Sequence, residues 1–542
     1  MFSENAEKFP DRTAIVVPIG RDSQGKSITK QLSFQELNKL TNRFSIGFIK
    51  YGFKKGDRVL LMVNPGIDLI AIVLALFKIG SVPVIIDPGM GLKAFSQCVS
   101  ETEPIGFIGI PKSHILRLLF RKSFKTVKLV LTAGKSRVWK KSTLDYICTE
   151  TVDNFSIIKT KISDEAVIAF TSGGTGIPKG VLFTHGMVMA TVNSLRNDLK
   201  IREGDIHLAA FYAFALFMPS LGATIIIPDM DPKKTSEINP AYLVESIHNF
   251  NVSNTMGSPI IWKKLSEYCL TENIRLPSLN YVFMFGAAVP PEVVENMTAI
   301  MEEGEVFTPY GATEALPITN QSGKEIIAEK KIIVGEGKGV CVGRPIAGAN
   351  VKVIGITDNK IPSWNDDLVL KQGLIGEIVA KGPTVTHTYI NRPLKTLEAK
   401  IYSSDGIWHR MGDLGYFDEK GRLWFCGRMV HRVMPKEGLL TPVQCETIFN
   451  QHHNVKRSAL VGIGEYGNQR PVIIVEPEPD VKPLSQVDKK YLIDELLILG
   501  KKSKHTHNID DILIYDKEFP VDVRHNTKIQ RQKLLVWARK NI

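Results

Sequence analysis

Short β-branched runs separated by longer amphipathic stretches fill the first four fifths of the chain, and they restrict the fold more than any other feature. RVLLMV (58–63), VPVIIDP (82–88), AVIAFTS (166–172), GATIIIPDM (222–230), NYVFMFG (280–286) and IIVGEGK (332–338) follow this pattern. Apolar runs this short, alternating with helix-like segments, favour βαβ units and largely parallel sheets buried on both faces. From about residue 340 the spacing shortens, through NVKVIGI (350–356), GEIVAKG (376–382) and GYFDEKGRLWFCGR (415–428). Asp418–Gly421, lying between two apolar runs, predicts a hairpin turn. Beyond Arg428 the pattern predicts a helix at 442–450, strands at SALVGIG (458–464) and PVIIVEP (471–477), and a helix at 488–499. That is a separate α+β unit of about a hundred residues. The expected division is residues 1–429 and 430–542.

A chain of 542 residues accommodates roughly two to four domains and needs no staple to fold. With 44% hydrophobic and 23% charged residues, a disordered tail, a fibrous repeat and a disulfide scaffold are excluded. The six cysteines (98, 148, 269, 341, 426, 445) show no CxxC spacing, which points to a reducing cytoplasm. The start, MFSENAEKFPDRT, lacks the apolar centre of a signal peptide. Leu69–Phe77 is uncharged and apolar, but it falls well short of the roughly twenty residues a membrane span needs. It predicts a buried helix.

The formal charge is +12, and part of that excess is local. Gly106–Leu144 carries ten Lys or Arg and no Asp or Glu, interleaved with apolar residues. Such a stretch is either a solvated face or a peripheral contact for an anionic membrane. No nucleic-acid-binding motif accompanies it, so a nucleic-acid partner is not expected.

The strongest chemical signal is AFTSGGTGIPKG. An apolar run delivers the chain into Thr171, Ser172, Gly173, Gly174, Thr175 and Gly176, with Lys179 following. Glycines let the backbone approach an anion, successive N–H groups and hydroxyls can wrap phosphate oxygens, and the lysine adds charge. It is not a Walker A loop, because Gly180 rather than Ser or Thr follows Lys179. A second glycine pattern, Gly462-x-Gly464-x-x-Gly467, precedes a strand instead of a helix, so it predicts a turn and not a dinucleotide site. His185, His452 and His453 have no nucleophile motif beside them.

TSGGTGIPKG resembles the phosphate loop of the adenylate-forming superfamily, which includes acyl-CoA synthetases, luciferases and peptide-synthetase adenylation domains. The other landmarks follow in order along the whole chain: FGAAVPP (285–291), TPYGATEALP (308–317), GDLGYFDEKGRLWFCGR (412–428) and HNTKIQR (525–531). The resemblance implies ATP and Mg²⁺ as cofactors. It also implies an α/β fold, with a large N-terminal domain of mostly parallel sheets, a small β-barrel-like part and a small mobile α+β C-terminal domain. It assigns the phosphates to Thr171–Thr175 and Lys179, and the adenine edge to Gly286, Ala287 and Ala288. Tyr310 and Gly311 would lie against the adenine face. Thr313 and Glu314 suit phosphate and Mg²⁺, since hard cations take oxygen ligands. Asp413 would bind the ribose hydroxyls with Arg428 beside it, and Lys528 with Glu314 would be catalytic. By charge, Lys528 suits neutralising the α-phosphate and carboxylate as they join.

Departures from the common pattern narrow the branch. Asn526-Thr527 stand before Lys528 where Ser-Gly is usual, Val430 occupies the hinge position, Tyr212 stands where many acyl-CoA synthetases carry His, and Gly174 replaces a hydroxyl residue. Together with IPDMDP (227–232), GKGVCVGRP (337–345), HRV (431–433) and PVDVRHNTKI (520–529), these look like the β-lactone synthetase branch of bacterial olefin biosynthesis. That resemblance implies a long-chain 2-alkyl-3-hydroxy acid as substrate, a β-lactone as product, and other enzymes of olefin biosynthesis as partners. The alternative within the superfamily is long-chain fatty acid–CoA ligation.

Overall fold

The computed structural model describes residues 1–87, 90–150, 152–171, 178–329, 337–521 and 528–542. Two sheets form the body of the large domain. In the first, the strands run Leu129–Thr132, Gly106–Gly109, Arg58–Met62, Val82–Ile85, Glu165–Phe170, Gly180–Thr184 across the sheet. All neighbours are parallel except the last pair. In the second the order is Glu305–Phe307, Tyr281–Met284, Asn254–Gly257, Ile206–Leu208, Thr224–Ile226, Thr13–Arg21, Ser27–Ser33, again parallel until the final strand. The apolar runs of the sequence supply these strands, apart from IIVGEGK, most of which lies outside the described residues.

The apolar stretch at 69–77 forms the helix Ile67–Lys78, and every residue from Ile70 to Leu76 is buried. A helix that is hydrophobic all round has to be enclosed. Here it shares one core with Val59, Leu61 and Ile108 of the first sheet and Ile15, Ile225 and Phe283 of the second. Its terminal Lys78 is buried too, donating to Asn38 Oδ1, Thr41 Oγ1 and Asn42 Oδ1 at 2.6–2.7 Å.

The third part is an antiparallel, half-barrel-like sheet in which Gly406–Phe417 pairs with Leu423–Arg428, Gly376–Lys381 and Lys400–Ser403. The turn between the first two is at the expected place. The Asp418 carboxylate closes it by accepting the N–H groups of Lys420 and Arg422 at 3.0 and 2.9 Å.

After a single 3₁₀ turn at Met429–His431, the chain builds a small C-terminal domain. Strands Val455–Ile463, Arg470–Pro477 and Asp511–Ile514 carry helices Pro442–Phe449, Gln486–Lys501 and Arg531–Ala538. Alternate residues of the central strands face opposite sides, as a period of two requires. Leu460, Ile473 and Val475 enter one apolar cluster, and Ala459, Val461, Val472 and Ile474 the other. The second glycine pattern is the turn joining Val455–Ile463 to Arg470–Pro477. Arg432 ties the two domains, bonding Asp358 on one side and the Tyr466 hydroxyl on the other.

Candidate active site

The register of the Gly406–Phe417/Leu423–Arg428 hairpin sets Asp413 directly opposite Arg428. Arg428 Nη1 donates to Asp413 Oδ1 at 2.6 Å and to the Met411 carbonyl at 3.2 Å. The Tyr310 hydroxyl donates to Oδ2 at 2.6 Å. Asp413 is buried and Arg428 half exposed, so the pair reaches from the interior to the surface. An ionised carboxylate has about four acceptor sites, and these two partners leave room for more donors. Burial and then the Asp413 charge push the Tyr310 hydroxyl well above its ordinary range. The structure sets Asp413 inside a twelve-residue strand. Gly412, at φ +65, and the register shift at Leu414/Gly415 bend that strand locally without ending it.

A second group surrounds Glu314. Tyr310–Ala312 and Ala315–Asn320 form a hairpin whose tip is Thr313-Glu314. Gly311 is required there, because a Cβ would lie 2.4 Å from the Ala315 carbonyl oxygen. Glu314 is buried, and its Oε1 accepts the Tyr389 hydroxyl at 2.6 Å. Lys179 Nζ donates to the same hydroxyl at 3.0 Å and lies 3.9 Å from Oε1. Burial lowers the Lys179 pKa, and the Glu314 charge opposes that shift. Behind them, the fully buried Lys400 is brought down to about 7, chiefly by burial and further by Lys179, against the pull of Glu314.

Thr171 and Lys179 close the neck of the glycine-rich loop through two bonds, Thr171 N–H to the Lys179 carbonyl at 3.1 Å and Lys179 N–H to Thr171 Oγ1 at 3.3 Å. Ser172, Gly173, Gly174 and Thr175 lie outside the described residues. Gly286, Ala287 and Ala288 leave the carboxyl end of Tyr281–Met284, with Gly286 at φ +90. Tyr310 follows the parallel neighbour Glu305–Phe307, so both segments emerge at one sheet edge. Carboxyl ends of parallel strands are where such sheets bind ligands. Phe211, Phe214 and Phe285 pack there with ring centres 5.3–5.9 Å apart.

Lys528 is exposed on the C-terminal domain, next to Ile529, which bridges back to Val521. Among the described residues no three His, Cys, Asp or Glu side chains converge as a metal cage. Mg²⁺ typically takes one or two carboxylates together with substrate phosphates, and the buried Glu314 beside the phosphate-loop neck fits that donor chemistry. Tyr389, Thr386 and Lys400 were not found from the sequence. Tyr389 and Thr386 meet Glu314 across 75 and 72 residues with no motif joining them.

The AMP-binding enzyme family model matches residues 2–390. An olefin beta-lactone synthetase of Xanthomonas campestris is 39% identical over 541 residues, covering 98% of this chain and 96% of that protein. An olefin beta-lactone synthetase of Stenotrophomonas maltophilia is 37% identical over 545 residues, covering 99% and 96%. Among solved structures, o-succinylbenzoate CoA synthetase of Bacillus subtilis, in complex with an acyl-adenylate intermediate, superposes with a TM-score of 0.74. It is 20% identical, with 98% of this chain and 97% of that chain covered. The chain belongs to the AMP-binding enzyme family.

Proposed function

We propose that this protein uses ATP to activate a long-chain 2-alkyl-3-hydroxy acid and then closes it to a β-lactone. The observation that carries the reading is the identity to two olefin beta-lactone synthetases over nearly the whole chain. In the first step a carboxylate oxygen of the substrate attacks the α-phosphorus of ATP and pyrophosphate leaves. In the second the 3-hydroxyl oxygen attacks the acyl carbon, the hydroxyl proton is released, and AMP departs. Holding the hydroxyl against the activated carbonyl supplies up to about 7–11 kcal/mol in well-oriented cases, which opposes the strain of the four-membered ring.

The residues divide this work. Asp413, steadied by Arg428 and Tyr310, accepts the ribose hydroxyls. Gly286–Ala288 present main-chain groups to adenine. Lys179 and the phosphate-loop hydroxyls hold the phosphates, and Glu314 with Thr313 would hold Mg²⁺, which supplies charge neutralisation on the phosphates. Phe211, Phe214 and Phe285 offer an apolar wall to alkyl chains. The C-terminal domain, from residue 430, acts as a mobile lid that delivers Lys528. Pyrophosphate release on mixing enzyme, ATP and the hydroxy acid tests the first step, and its absence would sink the reading.

Asp413→Ala is expected to weaken ATP binding. Losing charged hydrogen bonds of about 1.5–3 kcal/mol corresponds to roughly a 10- to 100-fold rise in Kd. The melting temperature should drop modestly, because the Tyr310 hydroxyl and Arg428 lose their acceptor. Calorimetric titration and thermal denaturation check this together. A collapse in stability with normal affinity in the surviving fold would make Asp413 structural only.

The basic stretch also gains a shape. Helix Ser113–Leu119 turns His114 inward onto Trp139, with ring centres 4.5 Å apart. Its outer side leaves Ile115, Leu118 and Leu119 55%, 44% and 71% exposed. These stand at i, i+3 and i+4, one helical face, with exposed Lys112, Arg121, Lys122 and Lys125 around them. No described helix is long and apolar enough to cross a membrane, so this face suits peripheral contact with anionic lipid, where the product and substrate chains partition. Each cation near such a surface contributes about 1 kcal/mol, screened by salt. Co-sedimentation with phosphatidylglycerol vesicles at low salt, lost at high salt, is the expected result. No binding at low salt would leave a solvated face.

A further inference from the structure

We propose that Lys400 is a positioning residue: buried behind the Glu314 hairpin, it fixes Glu314 for the adenylation step through Thr386. This rests on the adenylation reading above. Lys400 opens the strand Lys400–Ser403 opposite His409, and its side chain is fully enclosed. Its Nζ donates to the Thr386 carbonyl and, at 3.4 Å, to Thr386 Oγ1. Thr386 in turn gives both of its donors to one acceptor. Its N–H and its Oγ1 bond the Glu314 carbonyl at 2.8 and 3.2 Å. Three residues on, Tyr389 holds the carboxylate of the same residue. Glu314 is therefore gripped at backbone and side chain by one segment, and Lys400 anchors that segment from inside.

A lysine is an expensive anchor. An enclosed ammonium loses several kcal/mol of hydration, and its direct acceptors here are neutral oxygens. The groups that face it are Glu314 from the hairpin, Lys179 from the loop neck, His387 and Tyr389 from the Thr386 segment, and His409 from the neighbouring strand. Only Glu314 carries negative charge among them. A neutral side chain of equal length would fill the same volume at lower cost. It would not donate to Thr386, and a donor here is explained if Glu314 has to be held at one place and orientation beside Lys179.

The experiment compares wild type, Lys400→Met, Thr386→Val and Thr386→Ser by ATP–pyrophosphate exchange over a range of Mg²⁺ and hydroxy-acid concentrations, with thermal denaturation in parallel. Misplacing a reacting group by about 1 Å costs up to about 100-fold, so K400M should lose roughly 10- to 100-fold in kcat. KM for the hydroxy acid should stay near wild type, and the Mg²⁺ requirement should rise. T386V, which keeps the N–H bond and loses the hydroxyl, should lose about tenfold, and T386S should recover it. Exchange by K400M at the wild-type rate, with or without a change in melting temperature, overturns the proposal. Should K400M fail to fold, equal rates for T386V and T386S overturn it instead. Exchange absent from the wild type overturns the adenylation reading, and this role with it.

Discussion

Lys528→Ala should stop adenylate formation while leaving ATP binding close to wild type. The groups assigned to nucleotide binding — Asp413 with Tyr310 and Arg428, and Lys179 with Glu314 — all belong to the large domain, whereas Lys528 follows the hinge on the C-terminal domain. In the proposed mechanism its positive charge acts when the C-terminal domain brings it to the α-phosphate as the carboxylate attacks. A group used mainly in the transition state lowers kcat far more than affinity. Removing one such electrostatic contact costs about 10²–10³ in rate. Lys528 is exposed, so the melting temperature should change far less than the rate. Pyrophosphate exchange and ATP titration on the same preparation decide it. Turnover at the wild-type rate would show that Lys528 is not the residue delivered.

Much of this site was legible because its parts are local in sequence or carry a chemical signature. Asp413 and Arg428 stand fifteen residues apart and face each other once a hairpin turn is recognised at Asp418–Gly421. Leu69–Phe77 had to be enclosed because it offers no polar face. The strands SALVGIG and PVIIVEP and the helices at 442–450 and 488–499 stood out as short apolar runs and amphipathic stretches beyond Arg428. What stayed hidden is non-local. Lys400, in the stretch LEAKIY, looks like any surface lysine until the strand Gly406–Phe417 covers it. Lys78 reads as the charged end of an apolar helix, yet Asn38, Thr41 and Asn42 enclose it. Tyr389 acquires a role only when folding sets it between Lys179 and Glu314. Periodicity says which face is buried, but not which distant polar group waits there.

These hidden contacts also couple the two halves of the site. Glu314 lies at the tip of the hairpin that begins at Tyr310, so a shift of that hairpin moves the Asp413 partner and the proposed metal ligand together. Thr386 and Tyr389 hold the tip from one side, and the Asp413 carboxylate holds the base from the other. Pre-organisation of this kind reduces the reordering needed when ATP enters.

Given ATP, Mg²⁺ and a long-chain 2-alkyl-3-hydroxy acid, the protein should release AMP and yield a product one water lighter than the acid, without CoA. The nucleophile is already in the substrate: the carboxyl oxygen departs on AMP, and the 3-hydroxyl oxygen replaces it on the acyl carbon. A plain fatty acid of equal length lacks that hydroxyl, so it should stop at bound acyl-adenylate and release pyrophosphate once per enzyme instead of turning over. The identity to two olefin beta-lactone synthetases motivates this. So do the departures at Val430 and Asn526-Thr527, in the region a CoA ligase uses to reorient its lid before thioester formation. Val430 is exposed on the 3₁₀ turn between the domains, while Arg432 two residues on is fastened to Asp358 and Tyr466. Mass spectrometry of both reactions, each with and without CoA, separates the outcomes. A CoA thioester from the plain fatty acid, together with no dehydrated product from the hydroxy acid, would assign the protein to fatty acid–CoA ligation.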